Sequence, residues 1–300
     1  AAGTGSAALP TYVFAFGDSN TDTGNSPISD PSDDGDVLQY PFGMTWPGRG
    51  AGRRCDGRLV IDWLCLLAFG GSLLPPHLGT GSGGSGPSGQ NYAVSGSAAL
   101  DPRALEEVAG LTSSTPDSLD VQAGWFEAGA VYGIERVGTS LIFFGENGGN
   151  DLHFALRDGR PDEFIRERLL PSVIAAMTAQ LDRILSVDLG SAPITRVVIQ
   201  GQFPIGCLPS YVIGRRAERN SAPSDFDDLG CVVSVNAISD LQNQLIQSAI
   251  IPAISARHPS VSIVFLDSSA AFRYILAHAP EFGFYNLIDT YCYDATGRTH

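Results

Sequence analysis

Four short, nearly continuous apolar runs constrain this chain most: Thr11 to Phe16 (TYVFAF), Thr139 to Phe144 (TSLIFF), Thr195 to Gln200 (TRVVIQ) and Val261 to Leu266 (VSIVFL). Each has the length of a strand and lacks polar alternation. Such runs suit strands buried on both faces, as in a parallel sheet. Gln90 to Val94 is a weaker fifth candidate. Helical patterns fall between the runs. Ile165, Leu169, Val173, Met177 and Leu181 recur every four residues, widened by Leu170, Ile174 and Ile184, with Pro171 expected to kink the helix. Ile238, Leu241, Leu245 and Ala249 form a second stripe. Leu59 to Ala68 reads as a third helix, stopped by Gly70 and Gly71. Strands alternating with helices predict an α/β sandwich around a parallel sheet. At 300 residues, 1–300 fits one domain. The 43% hydrophobic and 17% charged content is enough for a large core and excludes disorder of the whole chain.

Thirty-two acidic against 18 basic residues leave a net charge of −14. A phosphate backbone is repelled by such a chain, so nucleic acid is excluded as a partner, and an anionic membrane is disfavoured. No apolar run approaches the roughly 18 residues of a membrane span. The chain starts without Met, as if a targeting peptide had been removed, which predicts a secreted protein. Of the five cysteines, Cys55, Cys65, Cys207, Cys231 and Cys292, no two stand at C-x-x-C spacing, so a zinc or thioredoxin-type site is not expected. Gly79 to Gly89 is a Gly/Ser-rich surface loop. Asp30, Asp33, Asp34 and Asp36 read as a solvated acidic loop, because the ligand spacing of a calcium loop is absent. Neither a metal nor a cofactor is expected.

In open α/β sheets ligands bind beyond the carboxyl ends of the strands. After Phe16 comes GDSNTDTGN, after Val94 comes Ser95-Gly96-Ser97, and after Phe144 comes GENGGND. Small and polar residues therefore collect on one rim. A serine there supplies a nucleophile. A backbone N–H beside glycine and an asparagine amide supply oxyanion donors.

At these residues the chain resembles the GDSL, or SGNH, esterase/lipase superfamily. FAFGDSNTDTGN is similar to its first block. GRRCDGRLVIDWL, NYAVSGSAAL, GGND, GQFPIGCLPSY, SLDVQAGWF and the stretch Gly230 to Asn236 resemble blocks of its plant branch. The resemblance runs from about Tyr12 to Phe284. It implies a flavodoxin-like three-layer α/β/α sandwich with five parallel strands in the order 2-1-3-4-5. It implies Ser19 as nucleophile, with its own N–H, the N–H of Gly96 and the side chain of Asn150 as the oxyanion hole. A pairing of Cys207 with Cys231 across the loop after the fourth strand is implied as well, against the alternative of two buried free thiols.

Two departures stand out. Asn20 replaces the leucine usual after the serine. The family's last block, Asp-x-x-His, which supplies the base and its orienting carboxylate, has no match. The resemblance fades from Tyr285, and the sequence reads as truncated there. The five histidines are His77, His153, His258, His278 and His300, and Asp294 lies six residues from His300 rather than three. Without its base a serine is weakly nucleophilic, so slow turnover of nitrophenyl esters is expected of these 300 residues. The resemblance implies a serine esterase acting on a small-molecule or carbohydrate ester, with short acyl groups favoured. Two other readings stand beside hydrolysis: acyl transfer from the same serine, and a family relative that only binds.

Overall fold

The computed structural model describes residues 9–31, 35–68, 72–79, 89–131 and 137–285. Five strands, β1 (Tyr12–Phe16), β2 (Gly89–Asn91), β3 (Ser140–Phe144), β4 (Ile194–Gln200) and β5 (Ser262–Leu266), form one sheet in the order β2-β1-β3-β4-β5. Every pairing is parallel. The expected sheet, its order and its strand positions are therefore observed. The fifth candidate is shorter than expected: Tyr92 and Val94 still donate to Ala15 and Gly17, but the strand itself ends at Asn91.

The α-helices are, in chain order, α1 (Ser26–Ser29), α2 (Val60–Ala68), α3 (Pro102–Ala109), α4 (Leu119–Val131), α5 (Gly149–Arg157), α6 (Asp162–Phe164), α7 (Leu170–Leu185), α8 (Pro209–Ala217), α9 (Val233–Leu245), α10 (Ile251–Arg257) and α11 (Ser268–Ala277). Phe14, Phe16, Ile142, Phe144, Val197 and Ile199 face α3, α4, α7, α9 and α10 in the main core. Side chains alternate along a strand, so their neighbours Val13, Ala15, Leu141 and Phe143 point the other way, onto α2. Aromatic rings lock the first layer: Phe126 lies 5.0 Å from Phe14 and 5.4 Å, edge-on, from Phe16. Gly70 and Gly71, expected to stop α2, lie outside the described residues, as do most of the glycine-rich loop and Asp33 and Asp34.

Two expectations need correction. The run Val261 to Leu266 is not buried on both faces. β5 is an edge strand, and Val264 is 55% exposed because α2 covers the β1–β3 end of that face. Pro171 lies where the helix carries a local departure from α geometry. The α6–α7 rod passes it through one π turn, Ile165–Leu169, and the proline sits at the start of α7. The same device recurs at Ile246–Ile250 ahead of Pro252. A proline has no N–H to give to the residue four back, and its ring crowds that carbonyl; the wider turn removes the clash. The second correction is the helical stripe from Ile238. Ala249 is exposed and Leu241 and Leu245 are half-buried, whereas Ser239, Gln242 and Asn243 are buried beside Ile238. Ser239 donates to the Asn236 carbonyl of its own helix at 3.0 Å, whereas Gln242 and Asn243 turn inward because they bond strand-exit loops. Asn243 accepts from the Gln202 N–H at 2.7 Å and donates to its carbonyl at 2.9 Å, and Gln242 donates to the Asn147 carbonyl at 2.7 Å.

Candidate active site

The segment after β1 turns tightly: the Thr21 and Asp22 N–H groups both donate to the Asp18 carbonyl, at 3.0 and 2.9 Å. This turn places Ser19, half-buried, at the carboxyl rim of the sheet. Gln122 of α4, fully buried, clamps the start of the turn. It accepts from the Gly17 N–H at 3.0 Å and donates to the Gly17 carbonyl at 2.8 Å and the Ser97 hydroxyl at 2.9 Å. From the other side Arg53 grips Asp62 through two bonds of 2.7 and 3.0 Å and reaches the Thr23 carbonyl. The blocks SLDVQAGWF and GRRCDGRLVID thus act on the site as braces.

The turn after β2 is tied to the same loop, because the Ser95 N–H donates to Asp22 at 2.9 Å. Gly96 follows with φ +79°, and a Cβ there would lie 2.4 Å from the Ser114 hydroxyl oxygen. Only glycine fits that backbone and that approach. After β3, α5 opens on Gly149, and Asp151 in its first turn accepts from the N–H groups of Ala99 and Leu100 at 2.8 and 3.1 Å. That contact fixes Asn150, whose amide donates to the Ser97 carbonyl at 2.9 Å and lies 3.3 Å from an Asp18 oxygen.

Ser19, Gly96 and Asn150 line one pocket of about 290 Å³, together with Arg54, His153 and Arg157. The three residues singled out from sequence are therefore brought together. The Asn150 amide is already engaged: the firm bond to Ser97 uses one N–H, and the long contact to Asp18 leaves the other able to turn toward a ligand oxygen.

Beneath the serine lies a carboxyl pair that the sequence reading passed over. Asp18 and Glu146 are 3% and 4% exposed. Asn20 bridges them, its N–H donating to Asp18 at 2.9 Å and its amide to Glu146 at 2.6 Å. The departure from the family's leucine thus supplies a polar tie. Burial pushes Asp18 up to about 7 and raises Glu146 well above the ordinary carboxyl range, with the Asp18 charge adding to the effect. Burial also raises Asp151 to about 6. The signal in the sequence was a carboxyl residue at the exits of two adjacent strands, β1 and β3.

Those shifts have a pH consequence. The unfolded chain releases an aspartic acid proton near 3.8, whereas the native state holds Asp18 and Asp151 protonated to about 7 and about 6. The native state binds more protons in between, so stability is expected to fall as pH rises from about 4 to about 7, by the order of a few kcal/mol. Glu146→Gln should flatten that decline, read as the urea midpoint at about pH 4.5 and about pH 8. Parallel pH profiles for the variant and the parent would contradict this account.

The histidines separate clearly. His77 packs between Tyr92 and Trp125, with centroids at 4.9 and 5.1 Å. His258 pairs with Asp182 at 2.8 Å, and His278 stacks on Tyr274 at 4.2 Å. His300, Asp294 and Cys292 lie outside the described residues. His153 alone of the described histidines lines the pocket, with Nδ1 2.7 Å from the Tyr211 hydroxyl. Tyr211 stands on α8, which is pinned by the Cys207–Cys231 disulfide, S–S 2.12 Å. The implied pairing is thus present, and Cys55 and Cys65 are free. Among the described residues no helix is long and apolar enough to cross a membrane, and no group of three or more His, Cys, Asp or Glu could hold a metal ion.

The sequence also matches known proteins over nearly its whole length. A family model described as GDSL-like lipase/acylhydrolase matches residues 13–295. Acetylajmalan esterase 2 of Rauvolfia serpentina is 31% identical, over 93% of this chain and 75% of its own length. A GDSL esterase/lipase of Arabidopsis thaliana is 32% identical, over 91% of this chain and 67% of its own. A match of this extent, on an α/β/α sandwich with the strand order 2-1-3-4-5, shows that the chain belongs to the GDSL-like lipase/acylhydrolase family of carboxylic ester hydrolases.

Proposed function

We propose that the protein hydrolyses small carboxylic esters with short acyl groups through an acyl-enzyme on Ser19, and that it acts outside the cell. The observation that carries the reading is the convergence of Ser19, Gly96 and Asn150 on one pocket from three adjacent strand exits. The ester carbonyl sits over Ser19. Its oxygen, negative in the tetrahedral intermediate, faces the backbone N–H groups of Ser19 and Gly96 and the Asn150 amide. Ser19 becomes reactive when a general base takes its proton. The only histidine–carboxylate salt bridge among the described residues, His258 with Asp182, does not line the pocket, and the Asp-x-x-His block that supplies the base in the family has no match in these 300 residues. A buried disulfide suits an oxidising compartment. One of the relatives bears a name that says it cleaves an acetyl ester. That name supports short acyl groups here, and a volume near 290 Å³ suits a small substrate.

Stoichiometric labelling of Ser19 by a fluorophosphonate, with hydrolysis of 4-nitrophenyl acetate, tests the reading; an unlabelled serine would favour the binding-only alternative. Asn150→Ala is expected to lower kcat by about 10²–10³-fold with a smaller change in KM, as for loss of one oxyanion donor. An unchanged kcat removes Asn150 from the mechanism.

A further inference from the structure

α5 enters the pocket along one face. Asn150, His153 and Arg157 stand at intervals of three and four residues, and all three line the cavity over Ser19. Asn150 is the proposed oxyanion donor; the other two have no part in the chemistry described so far. His153 is tied through Nδ1 to the hydroxyl of Tyr211 at 2.7 Å. Burial pushes the Tyr211 hydroxyl up to about 12, so it keeps its proton and can donate it to Nδ1. The imidazole then carries its own proton on Nε2, the nitrogen left for the pocket. Burial, with the Arg157 charge adding to it, lowers the pKa of His153. No carboxylate among the described residues orients the ring, so His153 is poorly suited to collect a proton from Ser19 and well suited to donate a hydrogen bond while neutral.

The Arg157 side chain makes no ion pair or hydrogen bond with another described residue. Among the described residues, the other charged side chains lining the pocket are Arg54 and Asp30. The described lining thus carries two guanidinium groups against one carboxylate, on a chain of net charge −14. A guanidinium and an imidazole N–H one helical turn apart on the same pocket wall can both donate to one carboxylate.

We propose that His153 and Arg157 form a recognition wall for an acidic group, so that the site takes esters carrying a free carboxylate, such as half-esters of dicarboxylic acids, in preference to neutral esters. The proposal rests on the reading of the Ser19 pocket as the ester site. Arg157 supplies the charge, His153 fixes the direction of approach, and Tyr211 holds the His153 tautomer.

The test separates recognition from catalysis. Monomethyl succinate and dimethyl succinate are titrated into the Ser19→Ala protein, and binding is followed through the backbone amide NMR signals of α5. The half-ester is expected to bind about tenfold more tightly at low salt, the gain of one charge-assisted contact. Arg157→Gln should bring the two esters within about twofold of each other. His153→Ala should weaken the half-ester several-fold, and His153→Gln, which keeps a side-chain N–H, should recover part of the loss. Equal binding of the two esters, no binding of either, or a preference that survives Arg157→Gln overturns the proposal. Failure of the esterase reading shows elsewhere, in a wild-type chain that neither labels nor hydrolyses.

Discussion

Ser19→Ala is expected to bring hydrolysis of 4-nitrophenyl acetate down to the residual rate that the oxyanion donors alone support, a loss of about 10³-fold or more in kcat, and to abolish fluorophosphonate labelling. The size of the effect follows from chemistry. Without the hydroxyl no acyl-enzyme forms, and water must attack with only the oxyanion donors to help it. Residual catalysis of that kind is what remains when a triad member is lost. The fold should tolerate the change. Ser19 is half-buried, its side chain bonds no described residue, and the turn around it is held by the Asp18 carbonyl and by Gln122. The thermal midpoint is therefore expected to shift by no more than a few degrees. Activity that persists in Ser19→Ala would place the nucleophile elsewhere, most directly at another hydroxyl of the same pocket, Ser95 or Ser114.

How much could be read in advance depended on distance along the chain. The strands were legible because β1, β3 and β4 carry runs too apolar to face water. The same rule misjudged β5, since position at the sheet edge is a property of topology and not of a six-residue run. Ser19, Gly96 and Asn150 were legible because parallel strands deliver their exits to one rim. What those exits rest on was not. Asp18 and Glu146 lie 128 positions apart, and either one alone reads as a solvated carboxyl. The partner of His153 is Tyr211, 58 positions on, and no local pattern announces it. Gln242 and Asn243 defeated the apolar stripe of α9 because their partners are backbone groups of distant loops. In each case the deciding contact is polar and long-range, and periodicity records neither property.

The largest stability effect is expected from Asp22→Ala. Asp22 is 1% exposed, and its carboxylate collects four backbone N–H groups: Gly24 at 2.7 Å, Asn25 at 2.6 Å, Ser26 at 3.0 Å and Ser95 at 2.9 Å. Three of them close the loop that follows Ser19, and the fourth ties that loop to the turn bearing Gly96. Burial raises the cost of holding the charge, and the four donors pull the other way. An alanine leaves all four donors without an acceptor. Each buried orphan costs about 1–3 kcal/mol before relaxation or entering water, so a net loss of about 3–5 kcal/mol is expected. That is a large share of the roughly 5–15 kcal/mol that holds a typical domain. Asp22→Asn keeps one oxygen acceptor and turns an NH₂ toward N–H groups, so about half of that loss should follow. Asp228→Ala, at an exposed position, should stay within about 0.5 kcal/mol. Urea midpoints of the three variants give the order directly. The Asp22 variants should also lose activity while still folded at low denaturant, because the contact that fails first is the one between the Ser19 loop and the Gly96 turn. An Asp22→Ala protein with the parent's midpoint would show that water reaches these amides, and that the loop is held from elsewhere.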